Sequence, residues 1–571
     1  MKRIFKYLSK YKIESVLAPL FKMLEATFEL LVPLVIKKLI DVGIVQGDRM
    51  YILSMCGLLV LFCAIGYISA VTAQYFSAKA AVGVAEDLRH DLYAKVQKFT
   101  YRDLDRVGVS NIITRLTGDV GQVQTGINMT LRLLLRSPFI VFGAMIMAFT
   151  IDVKCALVFA VAIPLLLAVV FTIMLVTIPL FVKVQENLER ILRVIRQNLT
   201  GVRVIRAFGI EQKESAAFDR ENDAHFRLSR FVSRISVLLS PLTYLIINIA
   251  IVVLIYTGAI RMEYGLLTQG ALIALYDYMS QILIELIKFA NFVILLTKSA
   301  ASATRIDEFF ALGEPLARAD APRIETDAHL IFDRVSFGYT AGTKVLSDIS
   351  FSAKRGQTIG VIGGTGSGKT SLVNLIPRFY DADAGGIYLD GENVRALDEV
   401  SLRRRIGVVP QKAELFSGSI RENLAFGNPD ATEEEMLAAV HTAQGDDILR
   451  EKEGLDTYLA EGGKNLSGGQ RQRLTIARAL VADPEILILD DSASALDYAT
   501  DARLRAAIAE RKDPPTTLIV SQRTAAVMHA DLILVLDRGC LVGKGRHDDL
   551  MKSCEVYREI YESQFKEADA E

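Results

Sequence analysis

The stretch with the most specific chemistry is GGTGSGKT, residues 363–370, which follows the apolar run TIGVI. Its spacing fits G-x-x-x-x-G-K-[ST], in which backbone N–H groups surround phosphates at the start of a helix. The lysine then reaches the β- and γ-phosphates, and the hydroxyl binds Mg²⁺. A glycine-rich turn is the alternative, but the strand-like run before it favours an ATP site. The expected nucleotide-binding residues are Gly363, Gly364, Thr365, Gly366, Ser367, Gly368, Lys369, Thr370 and Ser371.

A pair of aspartates ends the apolar run LILDDSASALD, residues 487–497. When such a run follows a phosphate-binding loop, it usually ends in Asp and then Glu. The first acid holds Mg²⁺ and the second positions a water molecule. Asp490 is therefore a predicted metal ligand, but the second acid is Asp491, which is one methylene shorter than glutamate.

A second phosphate-binding motif is predicted in NLSGGQRQRL, residues 465–474. A serine and two glycines before an amphipathic helix provide the same N-terminal helix dipole as the first loop. One chain does not need two such loops for one γ-phosphate. The simplest use of the second loop, formed by Ser467, Gly468, Gly469 and Gln470, is on a nucleotide held by another copy of the domain.

The composition indicates that the chain combines membrane segments with a soluble domain, and these motifs belong to the soluble domain. With 571 residues the chain is too long for one core, and 51% hydrophobic residues with a mean hydropathy of +0.31 favour membrane segments beside a soluble domain. The formal net charge of −1 gives no electrostatic case for nucleic acid as a partner. The five cysteines fit neither a metal motif nor a disulfide framework.

Six long apolar stretches are predicted to span a membrane before residue 300. They lie near residues 14–41, 52–80, 127–150, 155–182, 237–260 and 268–298. The short connections hold few basic residues, whereas the long connections after the second and fourth stretches hold many. The positive-inside rule therefore puts the long loops and both termini in the cytoplasm.

The chain is expected to divide into five parts. After about residue 300, strand-like and helix-like runs alternate, as in an α/β domain. The predicted parts are an amphipathic interfacial helix at 1–12, a transmembrane domain with two long cytoplasmic loops at 13–308, a polar linker at 309–328, the nucleotide-binding domain at 329–564, and a tail at 565–571.

With these two phosphate-binding motifs the sequence resembles the ATP-binding cassette (ABC) transporters, and six spans before one cassette resemble the half-transporter exporters of that family. The resemblance implies an all-α transmembrane domain of the type I exporter kind followed by an α/β P-loop cassette. It also implies that Tyr339 stacks on adenine, although an ordinary strand tyrosine is the alternative. Gln411 matches a glutamine that contacts Mg²⁺, and residues 494–497, SALD, match a loop at the cassette dimer interface. The stretches at 108–120 and 201–214 look like coupling segments that dock onto cassettes.

Two positions depart from the family pattern. Asp491 stands where hydrolytic sites have glutamate, and Gln522, in TTLIVSQR, stands where they have the switch histidine. Glutamine donates hydrogen bonds but does not titrate. Each change alone is compatible with neutral drift. Together they suggest a site that binds ATP and hydrolyses it slowly, as in the degenerate-site subunit of bacterial heterodimeric multidrug-type exporters.

In such a pair, the intact signature residues 467–470 would complete the hydrolytic site of a second half-transporter that has the consensus Glu and His and an altered signature. The expected setting is the bacterial plasma membrane, with membrane lipid around the protein and a small amphipathic molecule as the substrate. A homodimeric lipid or peptide exporter and an ATP-gated regulator or channel are the alternatives.

Four acids lie within the apolar stretches and are candidates for a substrate cavity. They are Glu25, Glu29, Asp277 and Glu285. Because intramembrane acids are costly, they usually face a cavity or a partner. A cavity lined by these acids would favour cationic amphiphiles. Salt bridges to residues such as Arg132 or Lys288, or positions closer to the membrane interface, are the alternatives.

Overall fold

The computed structural model of the protein describes residues 2–313, 318, 323–340, 342–450 and 453–565. The chain divides into two compact units, Met1–Gln97 with Gly108–Leu312, and Lys98–Val107 with Gly313–Glu571. The last helix of the first unit continues to Ala311, inside the expected linker. Residues 314–317 and 319–322 of that linker, and 566–571 of the expected tail, lie outside the described residues.

The first unit is helical throughout its regular structure. Its α-helices, together with α4 of the second unit, are α1 (Lys2–Leu8), α2 (Lys12–Lys38), α3 (Arg49–Val96), α4 (Tyr101–Val107), α5 (Val109–Thr114), α6 (Val120–Leu133), α7 (Arg136–Ile151), α8 (Val153–Thr200), α9 (Val202–Ala207), α10 (Glu211–Val237), α11 (Leu239–Glu263) and α12 (Gln269–Ala311). Helices α3, α8 and α12 extend well beyond the 20 residues or so that a bilayer requires.

Five helical stretches among the described residues are long and apolar enough to cross a membrane. They are Arg49–Val96, Val109–Ile151, Val153–Thr200, Glu211–Glu263 and Gln269–Ala311. These stretches contain five of the six expected spans. The remaining one, in α2, is not among them because Lys22, Glu25 and Glu29 interrupt its apolar sequence.

Small residues allow the helices of this unit to approach one another closely. A Cβ atom on Gly126 would lie 2.0 Å from the Ser299 hydroxyl, and one on Gly143 would lie 2.5 Å from the side chain of Leu30. Buried alanines occupy other crossings, and Phe159 and Tyr278 fill the core between them. Such packing is typical of membrane helices. Lipid is as apolar as their side chains, so the helices associate through close van der Waals packing and not through the hydrophobic effect.

The second unit contains two main sheets. Its strands are β1 (Leu330–Phe337), β2 (Leu346–Ala353), β3 (Thr358–Gly363), β4 (Ala384–Leu389), β5 (Glu392–Asn393), β6 (Ile406–Val409), β7 (Gly418–Ser419), β8 (Tyr458–Leu459), β9 (Ile486–Asp490), β10 (Thr516–Ser521), β11 (Leu532–Asp537) and β12 (Cys540–Gly545). The smaller main sheet has the order β2-β1-β4-β5, and the larger has the order β12-β11-β3-β10-β9-β6. In the larger sheet only the β11–β12 pair is antiparallel.

Helices cover the larger sheet. After α4, the α-helices of this unit are α13 (Lys369–Asn374), α14 (Glu399–Arg404), α15 (Ile420–Ala425), α16 (Glu433–Thr442), α17 (Asp446–Arg450), α18 (Gly468–Leu480), α19 (Tyr498–Ala509), α20 (Thr524–Val527), α21 (His547–Ser553) and α22 (Glu555–Phe565). Strand β9 is buried at every position, and β10 likewise, as expected for central parallel strands with both faces covered. Ligands of such sheets bind beyond the carboxyl ends of the strands, where β3, β10 and β9 end side by side.

Candidate nucleotide site

A cavity of about 280 Å³ lies where β3, β9 and β10 end. The parallel register of these strands brings together segments that are more than 100 residues apart in the sequence. The cavity is lined by Val345, Thr365, Gly366, Ser367, Gly368, Lys369, Thr370, Ser371, Gln411, Asp490, Asp491, Val520, Ser521 and Gln522. Most of the predicted nucleotide-site residues, including both that depart from the family pattern, therefore line one cavity.

The phosphate-binding loop connects β3 to α13. Gly368 has a φ of +96°, which favours glycine, and a Cβ atom there would lie 2.7 Å from the Leu346 side chain. The ammonium of Lys369 donates to the carbonyl oxygens of Gly363 and Gly364, each at 2.8 Å. Burial lowers the pKa of Lys369, whereas the charges of Asp491 and Asp490 oppose that change. The ammonium is thus held within the loop that would surround the phosphates.

Two of the magnesium ligands predicted from the sequence, Thr370 and Asp490, are in contact. The Thr370 hydroxyl donates to Asp490 Oδ1 at 3.2 Å, and Asp490 is 5% exposed. Burial raises the pKa of Asp490, and the neighbouring charge of Asp491 adds to this effect. A bound cation would reverse that preference, because it stabilises the ionised carboxylate. A hydroxyl and a carboxylate are the hard oxygen donors that Mg²⁺ prefers, so these residues fit Mg²⁺ bound with ATP.

Asp491 directly follows β9 and has a left-handed backbone with φ +47°. Its N–H donates to Val520 O at 2.9 Å, which ties it to the neighbouring strand β10. Its Oδ2 accepts a hydrogen bond of 3.3 Å from the side chain of Gln411. Gln411, the third predicted metal ligand, therefore contacts Asp491 in this structure and not Asp490.

The adenine-stacking candidate lies beside the phosphate loop. The hydroxyl of Tyr339 is 2.9 Å from Ser371 Oγ, and its ring is 39% exposed. The ring meets Tyr380 edge-on, with 5.2 Å between centroids, and Phe337 packs against both rings. The Tyr339 ring thus packs against Phe337 and Tyr380, while part of the residue stays accessible to solvent, as stacking on a base requires.

The signature residues line a different cavity of about 540 Å³, which includes Ser467, Gly469 and Asp497. Ser467 is the N-cap of α18 and forms a capping box with Gln470, because each side chain accepts the other residue's backbone N–H at 3.0–3.2 Å. A Cβ atom on Gly468 would meet nothing within 4 Å. Internal packing therefore does not explain the glycine at this position.

The second unit includes a short segment that the sequence analysis did not assign to it, Lys98–Val107. Tyr101 stacks on Phe379 at 4.2 Å, Asp105 accepts a hydrogen bond of 2.6 Å from Tyr380, and Arg102 donates to Gly338 O at 3.2 Å. The expected coupling stretches at 108–120 and 201–214 belong to the first unit. No motif marks the segment in the sequence, although two aromatic residues, at 99 and 101, precede α4.

Three of the four intramembrane acids form one ion-pair cluster around Arg136. Its guanidinium lies 2.7 Å from Glu285 and 2.7 Å from Glu29, with Glu25 at 3.8 Å. Lys288 pairs with Glu285 at 2.9 Å, and Lys22 pairs with Glu25 at 2.6 Å. The cluster thus joins three cations to three anions. Lys288 is one of the partners expected from the sequence, whereas Arg136 is not, although its place at the start of an apolar run is a signal for it.

The fourth acid, Asp277 on α12, is half-buried. Among the residues that the structure describes, its carboxylate has no ion-pair or hydrogen-bond partner. One turn further along the same helix, the buried Oε1 of Gln281 also lacks a hydrogen bond. The structure therefore separates Asp277 from the other three acids.

A phosphate-binding loop at the end of a parallel sheet, an acid-terminated neighbouring strand and a separate LSGGQ loop define an ATP-binding cassette, here joined to helices of membrane-spanning length. Residues 15–286 match the family model of the ABC transporter transmembrane region, and residues 346–494 match that of the ABC transporter. The chain is 35% identical to the uncharacterized ABC transporter ATP-binding protein YfiB of Bacillus subtilis, over 99% of both chains. It is 32% identical to the putative multidrug export ATP-binding/permease protein YgaD of the same organism, over 99% of this chain and 98% of that one. The chain belongs to the ABC transporter family.

The fold is similar to that of a bacterial Atm1-family ABC exporter with ATP bound. The TM-score is 0.80 and the identity 24%, over 98% of both chains. The predicted fold class, a helical transmembrane domain followed by an α/β cassette, is confirmed. The protein is a multi-pass membrane protein of an ATPase-coupled transporter family, whose cassettes bind ATP, normally with Mg²⁺.

Proposed function

We propose that this chain is one subunit of a heterodimeric exporter that moves amphipathic small molecules out of the cytoplasm. Its own site binds ATP with Mg²⁺ and hydrolyses it slowly. Its signature loop completes the site of a second half-transporter, where most hydrolysis takes place. The basic residues of α8 to α10 favour a cytoplasmic position for the long loops, the termini and the cassette in a bacterial plasma membrane.

The observation that supports a slow site most directly is that Asp491 and Gln522 line the same cavity as Lys369 and Asp490. The N–H of Asp491 donates to Val520 O at 2.9 Å, which ties the backbone that carries this shorter side chain to β10. A carboxylate that is one methylene short is displaced by about 1 Å, and such errors cost about 10²-fold in rate. Glutamine at 522 cannot supply the charge of an imidazolium.

The arrangement of the signature loop supports a partner. Ser467 and Gly469 line a different cavity from Lys369, so the two loops do not share a cavity within one chain. The open space beside Gly468 is suited to the close approach of a phosphate to backbone N–H groups. A partner with the consensus glutamate and histidine would then give the pair one efficient site.

The experiment that tests this arrangement is Ser467→Arg in the purified heterodimer. A bulky side chain on the loop should block its contact with the partner's γ-phosphate and remove nearly all steady-state phosphate release. Ser553→Arg is the matched control, because Ser553 is exposed on α21 and lines neither cavity. Retention of more than about half of the activity by folded, paired Ser467→Arg would contradict the proposal.

For the transported molecule, we propose that Asp277 is the acid that contacts a cationic group. Glu25, Glu29 and Glu285 are already paired with cations of the same chain. Asp277 lies eight residues into α12, about 12 Å along the helix at 1.5 Å per residue. An unpaired carboxylate within a spanning segment is too costly to face lipid, so it is expected to face a cavity or a ligand.

Asp277→Asn should reduce the stimulation of ATPase activity by a cationic amphiphile, such as a tetraphenylphosphonium salt, and leave stimulation by a neutral amphiphile unchanged. Glu29→Gln is the comparison variant, because it changes the charge of the ion-pair cluster instead. Equal loss of both responses in Asp277→Asn would refute a specific role in charge recognition. If neither compound stimulates turnover or accumulates in inverted vesicles, an ATP-gated regulator becomes the better description.

A further inference from the structure

One glutamine of the last helix holds the backbone on both sides of the switch position. The Nε2 of Gln564 in α22 donates to the carbonyl oxygen of Gln522 at 2.7 Å. Its Oε1 accepts from the N–H of Thr524 at 2.8 Å. A single amide side chain thus bridges the segment that leaves β10 beside the nucleotide cavity.

The bond to Thr524 has a structural reason. Thr524 is the first residue of α20, and the first N–H groups of a helix have no partner within it. The N-cap residue, Arg523, makes no side-chain cap. Gln564 therefore supplies from 40 residues away the acceptor that an N-cap side chain normally provides.

The direction of the Gln522 side chain depends on the backbone of this segment. Gln522 is exposed, and among the described residues its side-chain amide makes no hydrogen bond. On the β10 side, the Ser521 hydroxyl accepts from the N–H of Arg523 at 3.0 Å. Since no hydrogen bond among the described residues fixes the Gln522 side chain, its direction into the cavity depends on how this backbone is held.

Helix α22 is a firm support for Gln564. Tyr557 is fully buried in the cassette core, and its hydroxyl is 2.8 Å from Nδ1 of His547. Near the end of the helix, the ring of Tyr561 stacks on Phe565 with 4.5 Å between centroids. Ile560, four residues before Gln564, packs against the same core, and Tyr561 lies against the His547 ring with 5.3 Å between centroids, so the helix is held close to the position of Gln564.

We infer that Gln564 is a positioning residue that aims Gln522 at the γ-phosphate and so lengthens the time that ATP stays at this chain's own site. The inference rests on the proposed function, in which Gln522 occupies the switch position of a slowly hydrolysing site. Loss of the bridge should accelerate ATP release roughly 5- to 10-fold, as expected for one or two lost hydrogen bonds.

The test uses the full-length heterodimer in nanodiscs, loaded with Mg²⁺ and radiolabelled ATP and then chased with unlabelled ATP. The release phase that Lys369→Ala abolishes reports this chain's own site. Gln564→Ala should speed that phase. Gln564→Glu keeps the acceptor for Thr524 and loses the donor to Gln522, so it should have an intermediate effect and remain folded. Ser563→Ala is the matched control, because among the described residues its hydroxyl bonds only Ile560 of its own helix.

A double-mutant cycle distinguishes positioning from general support of the fold. If Gln564 acts through the Gln522 side chain, Gln564→Ala should add nothing to Gln522→Ala. Equal acceleration in both backgrounds, or no acceleration by Gln564→Ala and Gln564→Glu, would overturn the inference. If Gln522→Ala itself leaves release unchanged, the proposed role of Gln522 fails instead.

Discussion

Replacing Asp491 by glutamate should accelerate hydrolysis at this chain's own site. Glutamate adds one methylene, which moves the carboxylate about 1 Å further into the cavity. Since a misplacement of about 1 Å can cost roughly 10²-fold in rate, the substitution should increase the rate of hydrolysis by up to that factor. That corresponds to about 2.7 kcal/mol of transition-state stabilisation. The backbone of Asp491, with φ +47° and its N–H bonded to Val520, stays in place, although glutamate tolerates a left-handed conformation less well than aspartate.

The assay is phosphate release by the full-length chain reconstituted alone as a dimer in nanodiscs, where the proposed arrangement would place an intact signature loop at each site. Asp491→Gln is the length-matched control, because it has the reach of glutamate without the charge. Asp491→Glu with Gln522→His should be faster than Asp491→Glu alone. If Asp491→Glu is no faster than the parent chain while ATP still binds, then the length of this side chain does not limit the site, and the reasoning is wrong.

Two further predictions concern other contacts of the structure. In the proposed heterodimer, Asp491→Ala should reduce turnover only modestly, whereas Lys369→Ala should weaken cassette closure and slow the partner's site, because ATP bound at the slow site would help to hold the cassettes together. Phosphate release and trapped nucleotide measure both effects, and a dead Asp491→Ala enzyme would show that Asp491 is a working catalytic carboxylate. Arg136→Met should lower the stability of the transmembrane unit by about 1–3 kcal/mol, since buried Glu285 loses its closest cation but keeps Lys288 at 2.9 Å. A thermal melt of Arg136→Met with no larger shift than that of Arg132→Met, which has no ion pair among the described residues, would contradict this.

The sequence predicted the nucleotide cavity well because the chemistry of phosphate binding constrains residue types at fixed spacing. Lys369 and Thr370 must follow closely spaced glycines, and Asp490 must end a buried strand. The parallel sheet then brings β3, β9 and β10 together, so that motifs distant in the sequence become neighbours. The roles of these residues in catalysis stay predictions.

Contacts between side chains without a motif could not be predicted in the same way. Arg136 meets Glu29 and Glu285 only because α2, α7 and α12 cross at that level, and one arginine in an apolar run does not say which acids it meets. The bridge from Gln564 to Gln522 depends on the ending of α22 beside β10. The extension of α8 beyond its apolar stretch, by contrast, is visible in the sequence, because VQENLERILRVIRQNL, residues 184–199, keeps a helical pattern and lies within α8.

The cassette unit is not continuous in the chain, and this affects biogenesis. Lys98–Val107 is synthesised before the third apolar stretch, whereas the rest of its unit begins at Gly313. At about 5–20 residues per second, the roughly 200 intervening residues require about 10–40 s of translation. During that interval Tyr101 has no Phe379 to stack on, and a cassette expressed from Gly313 onward leaves Phe379 and Tyr380 without the contacts of Tyr101 and Asp105. The nucleotide-binding unit is thus complete only when the polypeptide from Gly313 onward meets a segment that left the ribosome earlier.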